Sequence, residues 1–374
     1  MIQSPPYLLT RHSSLGGALT LIAVIVATHV VFQGSSPVQG AESVSETVGY
    51  NKIICPGGSD TSIGIPFIRE PVFRGKIQGN PGVTNSLVLV TPAGSPVLPP
   101  SGFVSSPHYF RVLSGNLAGS RFDIRANTGQ AITIDIGDED ASGLSANDTF
   151  DIVPHWTLSS LFPPATQEAL HLSTGLLPSS RESRILLADV TSDGVQLAPD
   201  RVYFVTDQGW FQATAGFPAA DDVVVEPGHV LIVRHKVGAD DTIFYATSQV
   251  HQHAHRAQIR SRFDGPQDNP ISLMRPVPVN LSELGLGSDV FVDSTSTDSA
   301  DRGDELLVYD NITAALNKAL GITYFRVAGE WRLDDGASYP VADDDLIPPS
   351  NALLLRKDAT STGETVIWIN TPRY

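Results

Sequence analysis

The run His251-Gln252-His253-Ala254-His255 is the sharpest chemical signal in the sequence. On an extended strand, residues two apart face the same side. His251, His253 and His255 would then present three imidazoles to one ion, the ligand number of a catalytic zinc with an open position. His229 and His235, on a neighbouring strand segment, are candidates for a further ligand. Two considerations weigh against the site. Alternate residues on a flat strand stand about 7 Å apart, too far for one tetrahedral ion without a bulge. No carboxylate lies close in sequence to orient the rings. The expectation is therefore a polar segment without a cofactor, with these histidines the ligands if zinc binds at all.

Carboxylates gather at Asp135, Asp138, Glu139 and Asp140, at Asp221-Asp222, at Asp240-Asp241 and at Asp343-Asp344-Asp345. Calcium takes such oxygen ligands, but none of these clusters has the twelve-residue spacing of a calcium loop. Acidic turns are their ordinary use. Glycoside hydrolysis needs only two carboxylates brought together in space, and spacing alone does not reveal such a pair. The motifs G-x-S-x-G, H-E-x-x-H, S-x-x-K and G-x-x-x-x-G-K are absent, which removes several hydrolase and nucleotide-enzyme classes. A single cysteine excludes a thiolate metal scaffold and an internal disulfide. Cys55 follows two isoleucines and reads as a small core residue, with no basic neighbour to activate it.

The elements that must carry these residues are short strands. Period-two or β-branched runs recur at 86–91 (SLVLVT), 131–136 (AITIDI), 202–206 (VYFVT), 229–234 (HVLIVR) and 364–369 (ETVIWI). Gly, Pro and Asp turns separate them; the chain holds 32 Gly and 27 Pro. That density predicts an all-β sandwich or barrel. One short helix is expected over 311–320, with Asn311 as N-cap, Ile312, Leu316 and Leu320 on one face and Gly321 at C′. A weaker candidate covers 165–172 (ATQEALHL).

Laid on itself, the chain repeats. Tyr203, Phe204 and Trp210 match Tyr324, Phe325 and Trp331, and Leu186 and Asp189 match Leu307 and Asp310, all at one offset. With one residue inserted, 227–234 (PGHVLIVR) matches 349–356 (PSNALLLR). Gly209 suits the φ > 0 position of a bulged hairpin turn, a role that Ala328-Gly329 takes in the second copy. The expected organisation is a leader over 1–40 and an N-terminal β domain over 42–153. Repeat unit 1 then covers 154–236, a connecting segment 237–276, and repeat unit 2 with a last strand 277–374. Trp210 and Trp331, exposed, would stack on sugar rings; buried, they are the core of two like hairpins, which repetition favours.

Segments 62–76 (SIGIPFIREPVFRGK), 115–127 (GNLAGSRFDIRAN), 149–162 (TFDIVPHWTLSSLF) and 323–331 (TYFRVAGEW) carry a resemblance. The chain resembles an uncharacterised family of exported β-rich bacterial proteins, abundant in verrucomicrobial-type genomes. The resemblance implies export and a mainly β fold, and implies no reaction, cofactor or catalytic residue.

Basic Arg11 and His12, the apolar run 15–32 and the small-residue stretch ending at Gly40 have the order of a secretory leader, with cleavage after Gly40. The net charge of −16 and a charged fraction of 17% argue against a nucleic-acid or anionic-lipid partner. The expectation is an exported, extracytoplasmic protein of the surface or envelope, structural or binding in type. Its expected partner is an extracellular or cell-surface polymer or protein, with no membrane insertion after leader removal. The alternative is a polysaccharide-active hydrolase using spatially paired carboxylates.

Overall fold

The computed structural model describes residues 47–78, 86–90, 102–104, 106–136, 141–318 and 321–373. The expected leader, and Asp138, Glu139 and Asp140, lie outside the described residues. The fold is all-β.

Three strands come first: β1 (Val48–Cys55), β2 (Asp60–Gly64) and β3 (Phe67–Ile68). Six more follow: β4 (Phe73–Gln78), β5 (Ser86–Val90), β6 (His108–Val112), β7 (Arg121–Asn127), β8 (Ala131–Asp135) and β9 (Thr149–Pro154). They pair in the ring β4-β5-β8-β7-β6-β9, which closes on itself as a barrel. Period-two alternation sends Phe122 and Ile124 of β7, Ile132 and Ile134 of β8, and Phe150 and Ile152 of β9 into one core.

The rest of the chain opens with β10 (Trp156–Thr157) and the single turn of α1 (Leu158–Leu161). The strands β11 (Ser183–Leu187), β12 (Arg201–Thr206), β13 (Gly209–Gln212), β14 (Val224–Val225), β15 (Val230–His235) and β16 (Thr242–Val250) follow. Then come β17 (His255–Arg260), β18 (Gln267–Ser272), β19 (Val279–Asn280), β20 (Glu305–Val308) and β21 (Ile322–Val327). The last four are β22 (Glu330–Leu333), β23 (Leu346–Ile347), β24 (Ala352–Lys357) and β25 (Thr365–Asn370). Two five-stranded sheets run in the same strand order, β13-β12-β11-β15-β2 and β22-β21-β20-β24-β18. The early strands belong to this part of the fold: β2 edges the first sheet, and β1 and β3 flank β16.

Each sheet covers its own apolar core. Tyr203 and Trp210 lie in the first, and Tyr324, Trp331 and Trp368 in the second. The matched hairpins share their closing contacts. Asp221 Oδ1 accepts the Trp210 N–H at 3.2 Å and Asp343 Oδ1 accepts the Trp331 N–H at 3.0 Å. Arg181 lies over Phe204 and Phe217, as Arg302 lies over Phe325 and Tyr339. The turns differ in detail: Gly209, at φ 127°, follows the two-residue turn Asp207-Gln208 and pairs with Thr206 in one, with no bulge in the register, while Ala328 and Gly329 are both left-handed in the other.

The two sheets complete each other's edges. On β2, Asp60 N donates to Ala315 O at 2.9 Å, Ser62 N to Asn311 Oδ1 at 2.8 Å and Gly64 N to Ser350 O at 2.9 Å. On β18, Asp268 N donates to Gly194 O at 2.9 Å and Ser272 N to Gly228 O at 3.1 Å. Between them sits Pro270, which has no N–H to satisfy and so suits an edge. A loop of each sheet thus closes the outer strand of the other. The strands meet where Gly64 faces Ser272: a Cβ on Gly64 would lie 2.0 Å from Ser272 Oγ.

Both expected helices are overturned. Residues 311–318 form bends without helix, with Asn311, Ala315 O and Asn317 N bonded to β2, and Leu320 lies outside the described residues. Asp310 Oδ1 accepts from Ile312 N and Thr313 N, an Asx turn that competes with helix. At 165–172 the Gln167 side chain bonds both N and O of Leu170, again local competition. Among the described residues the one α-helical turn is α1, held by a capping box between Thr157 and Ser160.

Candidate functional site

The largest chemical concentration in sequence, the histidine run, does not lie on one strand. Residues 251–254 turn, and only His255 belongs to β17. His251 and His255 are buried and meet edge to face with centroids 5.9 Å apart, while His253 is half-buried. Burial holds both buried imidazoles well below the ordinary histidine range. His255 Nε2 packs closely on Gly228, 2.8 Å from where a Cβ would stand. His235 is fixed elsewhere, its ring nitrogens 2.7 Å from Ser183 Oγ and 2.8 Å from Thr242 Oγ1.

A cavity of about 710 Å³ lies between the two sheets, lined among others by Asp60, Arg234, Asp268, Arg356 and Tyr309. Its two buried carboxylates are each clamped by an arginine through both oxygens. Arg234 reaches Asp60 at 2.6 and 2.7 Å, and Arg356 reaches Asp268 at 2.7 and 3.1 Å. Each also accepts a loop N–H from the other sheet, Asn317 N on Asp60 and Gln196 N on Asp268. Carboxylates so occupied act as anchors, not as acid and base. Three of the acidic turns also have structural work. Asp221 and Asp343 close hairpins, and Asp241 Oδ1 accepts from Gly57 N. Cys55 is fully buried, and burial pushes its thiol up to about 11.

The cluster that sequence reasoning misses is Asp123, His155 and Glu226. Asp123 comes from β7 of the barrel, His155 from the step between β9 and β10, and Glu226 from the turn between β14 and β15. One donor atom from each lies within 4.8 Å of the others. His155 Nε2 stands 3.0 Å from Asp123 Oδ1 and Nδ1 stands 3.4 Å from Glu226 Oε2. The imidazole is 2% exposed and its Nδ1 makes no hydrogen bond. Its ring is held against Tyr109, centroids 4.8 Å apart. The hydrogen bond from His155 holds Asp123 below the usual carboxylate range, whereas burial raises Glu226. Arg121 stands beside them and donates to Pro227 O. No spacing in the sequence marks this group, since its members come from three separate elements.

The exposed side chains point to a different face. Val48, Tyr50 and Ile54 alternate outward along β1, and Ile243 and Tyr245 do so on the paired β16. Tyr50 is 72% exposed and Tyr245 55%, whereas Trp210 and Trp331 are buried. Among the described residues no helix is long and apolar enough to cross a membrane. No family model, no curated protein and no solved structure matches this chain.

Proposed function

We propose that this is an exported surface or envelope protein that binds a neutral extracellular polysaccharide through the outer face of β1 and β16, without catalysis of its own. The observation that carries the reading is that face. Tyr50 and Tyr245 stand diagonally across this strand pair, with Lys52 and Thr247 between them and Val48, Ile54 and Ile243 toward its ends, an arrangement suited to the apolar faces of sugar rings. The net charge of −16 repels anionic polymers and leaves neutral glycans as the matching class. The like strand order of the two five-stranded sheets, with their reciprocal loops, supports reading them as two copies of one unit. The clamped carboxylates of the cleft favour binding over hydrolysis there.

The test is retention of the purified chain on insoluble cellulose and chitin, with release of reducing ends measured alongside. Tyr50→Ala with Tyr245→Ala should weaken retention about tenfold, two aromatic contacts at ~0.7 kcal/mol each. Undiminished retention in that variant would refute the assigned face. Release of reducing ends that disappears on changing one Asp to Asn would replace binding with hydrolysis.

A further inference from the structure

We propose that Asp123, His155 and Glu226 form a binding site for a divalent cation of the zinc type, completed by water, that ties the barrel to the first five-stranded sheet. The argument begins with the imidazole. A neutral histidine donates from one ring nitrogen only. With Nε2 donating to Asp123 at 3.0 Å, the Nδ1 lone pair faces a carboxylate oxygen at 3.4 Å. Two acceptors in that position repel unless a proton or a metal cation lies between them, and the buried Nδ1 makes no hydrogen bond. A cation between Nδ1 and Glu226 removes the conflict. The 3.4 Å separation is close to the edge of a tetrahedron with bonds of about 2.0–2.1 Å.

In that arrangement Nε2–H···Asp123 would be the orienting carboxylate contact that metal-bound histidines usually make. Asp123 can alternatively swing onto the ion, since its side chain is 57% exposed and its oxygen already lies within 4.8 Å of the other donors. Glu226 is also partly exposed, so water has access to the remaining positions. The mixed nitrogen and oxygen set suits zinc and its first-row neighbours better than calcium or magnesium. Arg121 and Arg125 are the opposing charges, and Arg125 is itself paired with Asp135, so two carboxylates face Arg121. The ring cannot follow a misplaced ion, because Tyr109 packs on it and Arg69 Nη1 holds the His155 carbonyl at 3.2 Å.

The experiment uses the full purified chain, stripped with a chelator and titrated with zinc, with calcium and magnesium in parallel. Zinc should bind at about one per chain and raise the melting temperature, with calcium and magnesium giving no such rise. Glu226→Gln and Asp123→Asn are near-isosteric changes at accessible side chains, and each should weaken zinc about tenfold or more. Both variants should also lose the zinc-induced rise, while His253→Ala should keep it. Three results would overturn the site: no stoichiometric zinc in the unaltered chain, unchanged affinity in both carboxylate variants, or loss of zinc in His253→Ala alone.

Discussion

Replacing Asp268 by Ala tests the reciprocal clasp between the sheets. The carboxylate is 1% exposed and takes two bonds from Arg356 and one from Gln196 N. Breaking a buried ion pair by removing one partner costs about 3–5 kcal/mol, chiefly through the stranded charge. Arg356 is 22% exposed and has Glu305 at 3.8 Å as a second partner, so part of that penalty is relieved by solvent and by Glu305. The exposed Gln196 N–H can turn to water. A loss of about 3 kcal/mol follows. The compact unit of roughly 330 residues has an unfolding entropy near 0.7 kcal/mol/K. If it unfolds as one, the melting temperature should fall by about 4 °C. Asp60→Ala should match within about 1 kcal/mol, because Arg234 and Asn317 N replace Arg356 and Gln196 N. Thermal scans checked by urea unfolding give both numbers. Losses below about 0.5 kcal/mol in either variant, or a gap above about 2 kcal/mol between them, would refute the clasp as an energetic pair.

The thiol of Cys55, pushed up to about 11 by burial, should resist aromatic disulfide reagents at pH 8 and titrate as one thiol in denaturant. Rapid native labelling would contradict the packing. His235 is held down to about 4 by burial, below its value in the unfolded chain, so unfolding takes up a proton between those values. Stability is then complete above about pH 6.5 and falls as pH drops toward 4. In His235→Asn the melting temperature should vary less steeply with pH over that window. An unchanged slope would remove His235 as a source.

The strands were legible where alternation met a single buried face. The run at 131–136 becomes β8 with Ile132 and Ile134 inward, and the run at 202–206 becomes most of β12. The matched aromatics at 203, 210, 324 and 331 were legible as core for the same reason: each is large, apolar and placed in a hairpin. The segment at 311–320 misled because its cap, period and C′ glycine are local signals. Its partners, Ser62 and Asp60, stand about 250 positions away in the chain. The group Asp123, His155 and Glu226 was illegible because a barrel strand, an inter-strand step and a turn assemble it and none carries a spacing. The histidine run had spacing without geometry, since the chain bends at 251–254.

The edge of β2 has a consequence for biosynthesis. Ser62 and its partner Asn311 lie 249 residues apart, and Asp60 and Arg234 lie 174 apart. At ~5–20 residues per second, a ribosome needs about 12–50 s to make the segment that caps the outer side of this strand. For the first 174 residues of that synthesis, until β15 is made, the nascent chain carries a strand with neither neighbour in place. Its sequence, DTSIG, has one aliphatic residue in five and ends in glycine. A short, polar strand of that kind is a poor template for pairing with other nascent chains. Raising its β-propensity, as by Ser62→Val, should therefore lower the yield of soluble protein during synthesis by more than it lowers the stability of the finished fold.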